Sequence, residues 1–205
     1  MNFVDSPSSS SVKDEAAAFK RERIVAAAID LFYERGYDKT TLDAVASVLG
    51  VTKPFIYSHF NSKVELLAEI CSRGILASLE SLRHALELEV SPTETLRILS
   101  ESFVISVLEN QKSIAVFTRE EKNLTLEDYK RIASMRRKFH NELRAVLEAG
   151  QISGEFHIGD PAVTASAISG LVSWSYVWYR PNGRMSSRKL SYEISRLIMA
   201  MVQSR

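Results

Sequence analysis

TLDAVASVLGVTKPFIYSHFNSK, residues 41–63, holds two short helical patterns joined by a tight turn. Leu42, Val45, Ala46 and Leu49 form the first apolar stripe, Gly50-Val51-Thr52 the turn, and the second helix is expected over Lys53–Phe60. Two helices meeting steeply through a glycine-containing turn make a helix-turn-helix, whose second helix enters the DNA major groove. The residue types suit that packing. Ala46 is small where the helices approach, and Gly50 can take the left-handed backbone that ends the first helix. Thr52 can cap the second helix, and Pro54 is tolerated in its first turn, where N–H groups have no helical acceptor. The same spacing also fits a plain helical hairpin within an all-α enzyme.

Working outward, the 205 residues allow one medium domain or a small domain joined to a larger one. The single cysteine, Cys71, excludes an intramolecular disulfide framework and a Cys-based zinc site, so a reducing cytoplasm is expected. The first residues, MNFVDSPSSSSVKDE, lack a basic start followed by an apolar run and read as a disordered tail over 1–13. No stretch is long and apolar enough for a membrane span, and no membrane partner is expected. Net charge is only +1, which by itself neither favours nor opposes a nucleic acid. The distribution says more: Val51 to Lys63 contains no acidic residue but includes Lys53, His59 and Lys63. A small, locally positive tip duplicated by dimerisation has this signature.

The periodicity throughout is that of helices, giving an all-α chain. A first helix is expected over about Asp14–Arg35, ended by Gly36. Thr40 and Asp43 resemble a capping box for the second helix, and Ser62 with Glu65 opens the fourth. Ser91-Pro92-Thr93-Glu94 starts a fifth, a short sixth runs from Gln111, and Thr125 starts a seventh that ends near Gly150–Gly154. Asp160-Pro161 opens an eighth, broken at Arg180-Pro181-Asn182-Gly183, and a ninth covers Ser187–Val202. The eighth is apolar nearly all round, which predicts burial on every side. The ninth has a Leu190, Ile194, Leu197, Ile198, Met201 stripe. These two helices either fill one domain or form half of a symmetric interface. The homodimer, through about 161–180 and 187–202, is preferred because such readers need two half-sites roughly 34 Å apart.

Arg21 to Leu67, RERIVAAAIDLFYERGYDKTTLDAVASVLGVTKPFIYSHFNSKVELL, resembles the N-terminal domain of TetR/AcrR-family transcriptional regulators. The likeness includes the Leu-Phe…Gly-Tyr end of the first helix, the Thr-Thr start of the second, the LGVTK turn, the YxHF segment and the SKxxLL start of the fourth. It implies a nine-helix subunit of an Ω-shaped homodimer that binds double-stranded operator DNA. A helix-turn-helix domain over 14–63 would be followed by a ligand-binding and dimerisation domain over 64–205. Carried over by residue, Thr41, Tyr57, His59 and Lys63 would contact phosphates, and Lys53 a phosphate or base edge. Pro54 and Phe55 stand where many relatives have Gly-Thr or Gly-Ser. Phe55 can touch a thymine methyl or equally pack within its own domain, and the alternative for His59 is an idle surface residue. Sequence preference then rests on Lys53, Pro54, Phe55 and DNA shape.

In the C-terminal half, GLVSWSYVWYRPNGRMS over Gly170–Ser186 is similar to a segment of members that respond to acyl-CoA thioesters, with Trp174, Trp178 and Arg180 matching. Such an effector needs an apolar tunnel and a basic mouth. Phe103, Phe117, Phe139, Trp174, Tyr176 and Trp178 can line the tunnel. Lys130, Arg137 and Arg144, spaced every seven residues, can meet phosphates, with Arg136, Lys138 and Arg180 near in sequence. The plainer alternative makes the aromatics core or dimer interface and the basic stripe solvated. Repression, the family's commoner mode, of lipid or acid catabolism follows from the resemblance; control of efflux by a hydrophobic drug-like ligand is the alternative. No cofactor, metal site or catalytic group is expected: His59, His84, His140 and His157 are dispersed, and Glu120-Glu121 has no histidine at ligand spacing.

Overall fold

A computed structural model describes residues 9–203, and among them every regular element is helical. In chain order these are α1 (Ser9–Arg35), α2 (Leu42–Leu49), α3 (Lys53–Tyr57), α4 (Lys63–Glu87), α5 (Pro92–Glu109) and α6 (Gln111–Glu120). A 3-10 turn at Glu121–Asn123 leads to α7 (Leu126–Ile152), α8 (Pro161–Ser173), α9 (Ser175–Trp178) and α10 (Ser187–Gln203). Nine helices are expected from sequence; α8 and α9 are two pieces of the eighth. Residues 1–8 of the expected tail lie outside the described residues, while α1 already begins at Ser9. The chain divides into two compact units after Ile70, within α4, whereas the sequence places the boundary at Lys63.

The first unit has its own core, with Ile24, Val25, Ala28 and Phe32 of α1 packed with Leu42, Val45, Ile56, Phe60, Leu66 and Leu67. Phe32 meets Tyr37 edge-on at 5.4 Å between ring centroids. Gly50 is left-handed at φ 64°, and its N–H closes onto α2 carbonyls. Capping differs from expectation in two places. Thr41, not Thr40, caps α2 by accepting from the Ala44 N–H at 3.1 Å. Thr40 is fully buried, and its hydroxyl donates to the Gly36 carbonyl at 2.9 Å. Thr52 stands at the N-cap of α3, but its side chain makes no capping bond. α3 also stops at Tyr57, before the expected Phe60, as the chain turns through Ser58 and His59.

In the second unit, α5 packs along α10 and α7 along α8, around a core that includes Leu96, Phe103, Phe139, Leu143, Ile168, Ile194 and Ile198. Ser91, Thr125 and Asp160 cap α5, α7 and α8 by accepting backbone N–H bonds. The α8–α9 junction tightens where the Val177 N–H bonds to the Trp174 carbonyl, three residues back. Gln111 fixes the following turn by donating to the Tyr176 and Tyr179 carbonyls at 2.6 and 3.0 Å. Burial of α8 on every side does not hold within this chain: Val163 and Trp174 are more than half exposed. The α10 stripe divides too, with Leu190, Ile194 and Ile198 buried and Leu197 and Met201 exposed.

Gly150 lies against the fully buried Phe156, where an added Cβ would overlap the ring. Gly150→Ala is expected to destabilise the chain by about 1–3 kcal/mol through overpacking, outweighing the roughly 1 kcal/mol of helix propensity that alanine gains. Urea unfolding measures this; an unchanged midpoint would show that Phe156 turns aside.

Candidate DNA-binding head and effector cavity

Among the residues expected to meet DNA, Thr41, Lys53, Pro54 and Tyr57 are exposed, while Phe55, His59 and Lys63 are half-buried. Thr41 uses an oxygen lone pair for its cap, which leaves its hydroxyl proton to donate outward. Lys53 bonds Asp43 of α2 at 3.0 Å. That hydrogen bond and the carboxylate's charge raise the lysine above its ordinary range. The tip is acid-free along the sequence but not in space. Phe55 packs edge-on against His59, with ring centroids 5.2 Å apart, so at least one side of Phe55 is spent within its own domain.

Lys63 is occupied internally. Its ammonium donates to the Tyr37 and Thr40 carbonyls at 3.0 and 3.1 Å and lies 4.0 Å from the Tyr37 ring centroid. It braces the segment between α1 and α2, a role that the sequence reading missed.

Arg21 of α1 is the other omission. Its guanidinium bonds Glu69 of α4 and the His59 carbonyl, approaches Glu65 at 3.5 Å, and stacks 3.9 Å from the Phe60 centroid. One planar cation thus ties α1, the turn after α3, and α4. The available signal was spacing: Arg21, Ile24 and Ala28 share one face of α1.

The second unit contains a cavity of about 450 Å³, within the range of small-molecule sites. Of the residues expected at a ligand, Phe103, Phe117, Phe139, Tyr176 and Arg137 line it, joined by Arg136. Trp174, Trp178 and Arg180 are not in its lining. Both tryptophans are exposed, at 62% for Trp174 and 46% for Trp178, and Arg180 turns onto the Val177 and Tyr179 carbonyls at 3.0 and 3.1 Å. Of the extended basic stripe, Arg144 pairs with Glu148 and Lys138 approaches Glu142.

The lining has two chemistries. Ile75, Phe103, Val107, Ile114, Ile132 and Phe139 are its apolar members, and Arg136, Arg137, His140, Asn141, Ser169 and Ser173 its polar ones. Arg136 lies 5.4 Å from the Phe117 centroid, and His140 Nε2 pairs with the Ser166 hydroxyl at 3.0 Å. The lining includes no carboxylate, so its polar members favour an anionic or acceptor-rich ligand.

α4 contributes Cys71, Gly74, Ile75 and Ser78 to the cavity. Burial pushes the Cys71 thiol up to about 12, with Glu120 and Glu121 adding to the shift; it stays neutral and unreactive near pH 7. At Gly74 an added Cβ would come within 2.7 Å of the Ile114 side chain. Small residues at 71, 74 and 78 on one helical face were the readable sign of this wall.

Two family models match the chain. Residues 24–70 match the bacterial regulatory proteins of the tetR family, and residues 89–202 the Tetracyclin repressor-like C-terminal domain. The chain is 28% identical to the HTH-type transcriptional repressor KstR2 of Rhodococcus jostii, over 82% of this chain and 83% of that one. Some other curated regulators match over a shorter stretch, one of them across 38% of its own length. The crystal structure of the TetR-family regulator PfmR from Thermus thermophilus shares 31% identity, covering 86% of this chain and 97% of that one with a TM-score of 0.79. AibR, solved in complex with isovaleryl coenzyme A and operator DNA, shares 25% identity over 90% of this chain and 98% of its own, with a TM-score of 0.74.

The bracing position of Lys63 gives a measurable expectation. Lys63→Met keeps an aliphatic stem but removes the ammonium and its two hydrogen bonds, and should lower stability by about 1–2 kcal/mol without any DNA present. Urea unfolding of the free protein checks it; a variant as stable as the parent that bound DNA less well would return Lys63 to a phosphate-contacting role.

Proposed function

The chain belongs to the TetR family of bacterial regulatory proteins, and on that premise we propose that it is a dimeric repressor released from operator DNA by an acyl-CoA thioester. It is a ligand-responsive, DNA-binding transcriptional regulator, and family membership takes the place of the all-α enzyme alternative. The observation that carries the finer reading is the mixed, carboxylate-free cavity lining, which combines apolar side chains with the cations Arg136 and Arg137. An acyl chain suits the first and the anionic coenzyme end suits the second. The isovaleryl coenzyme A bound to AibR supports the same class of effector.

In this proposal Thr41, Tyr57 and His59 hold phosphates and set register, while Lys53, Pro54 and Phe55 face the bases. Exposed Trp174, Val177 and Trp178, with Leu197 and Met201 of α10, supply apolar surface for a partner copy. Ligand against Cys71, Gly74, Ile75 and Ser78 displaces α4, which is continuous with the start of the helix at Lys63. The two heads of the dimer then lose their half-site spacing. By linkage, operator DNA weakens effector binding by the factor with which effector weakens DNA binding. Effector affinity that is equal with and without operator would sink this mechanism.

A compact hydrophobic ligand, with efflux as the controlled process, has one observation in its favour: Arg180 and both tryptophans of the coenzyme-like segment are outside the cavity lining. Calorimetry separates the two readings. If the effector is a CoA thioester, free CoA and the matching free acid should each bind about tenfold or more weakly; a free acid that binds as tightly contradicts the reading. At the head, Tyr57→Ala should cost roughly tenfold in operator affinity, the scale of one hydrogen bond to a charged group, while circular dichroism and dimerisation stay unchanged. Undiminished operator binding would displace Tyr57 from the interface.

A further inference from the structure

Ser169 lines the cavity from α8, and its hydroxyl oxygen is buried without a hydrogen-bond partner. Helical serines commonly return their hydroxyl to the carbonyl four residues back. Ser166 does so to Ala162 at 3.0 Å, Ser100 to Leu96 at 2.6 Å and Ser78 to Gly74 at 2.8 Å. Ser169 makes no such bond, so a polar group is held out of water with its bonding capacity unused. The same cavity lining includes the donors Arg136 and Arg137 and no carboxylate. A ligand matched to that lining is rich in acceptors, and the group it offers Ser169 is an oxygen.

We infer that Ser169 is a specificity-determining residue whose hydroxyl turns about the Cα–Cβ bond into the cavity and donates a hydrogen bond to a carbonyl oxygen on the part of the effector held there. The inference rests on the cavity being the effector site, and it narrows the class: the enclosed part is an oxygenated apolar group, a thioester carbonyl in the coenzyme reading, and not a bare hydrocarbon. A site built to hydrogen-bond an oxygen discriminates against the analogue that lacks it, because the buried partner is then left unpaired.

The test uses acyl-CoAs from butyryl to dodecanoyl, the tightest of them paired with its S-alkyl-CoA thioether, which has a methylene in place of the carbonyl. The parent protein should prefer thioester over thioether by about threefold to tenfold, the range of one neutral hydrogen bond. Ser169→Ala should bind the two alike, and should unfold at no lower urea concentration than the parent, since it removes an unpaired hydroxyl. A preference kept in Ser169→Ala, an equal loss of affinity for both probes, or a marked drop in its stability overturns the assignment of Ser169. Failure of every CoA probe to bind the parent protein overturns the thioester reading itself.

Discussion

Arg21 is the interaction on which the first unit's geometry depends. Its bonds run to an α4 carboxylate and to the carbonyl that closes the turn after α3, while its face lies on Phe60. A five-residue α3 is too short to be stable by its own hydrogen bonds, so its direction is set by what holds its ends. Gly50 fixes the entry through a left-handed turn, and Arg21 fixes the exit. Guanidinium suits this position because one rigid plane serves several acceptors and an aromatic face together. Lysine, a compact charge with no planar face, cannot pair bidentately with a carboxylate and stack flat on a ring.

The fold was largely legible because it rests on local signals. Apolar stripes and Ser-Pro or Asp-Pro starts depend on residues close in sequence, and α5, α7 and α8 begin at their expected caps. Errors gathered where a tertiary partner decides. Thr40 and Thr41 are equally good caps by type, and only the burial of Thr40 against Gly36 separates them. The absence of acids over 51–63 was real along the chain, yet Asp43 reaches Lys53 from the neighbouring helix. The division of the α10 stripe into buried and exposed members follows from packing against α5, which periodicity does not encode.

The effector side was legible in its composition and less so in its membership. Phe103, Phe117, Phe139, Tyr176 and Arg137 come from α5, α6, α7 and α9 and line one cavity. Trp174 and Trp178 were the most conspicuous aromatics, yet they are exposed at the α8–α9 junction, where the helix tightens. The wall from α4 was missed because its residues are small, and a cavity is defined as much by what does not fill it as by what lines it. Gly74 is the clearest case, since a single methyl there would press on Ile114.

The pairing of Lys53 with Asp43 has a consequence for how the protein searches a genome. Much of a regulator's hold on arbitrary DNA comes from mobile ions released when free cations settle on phosphates. Lys53 carries its own counter-anion, so a phosphate arriving there exchanges with a tethered carboxylate and releases less into solution. With Lys63 also turned inward, two of the positive residues of the tip contribute little to indiscriminate attraction. Under the proposed reading, residence on wrong sites would be shortened, and the contrast between operator and bulk DNA would rest on shape and on the few exposed groups of α3.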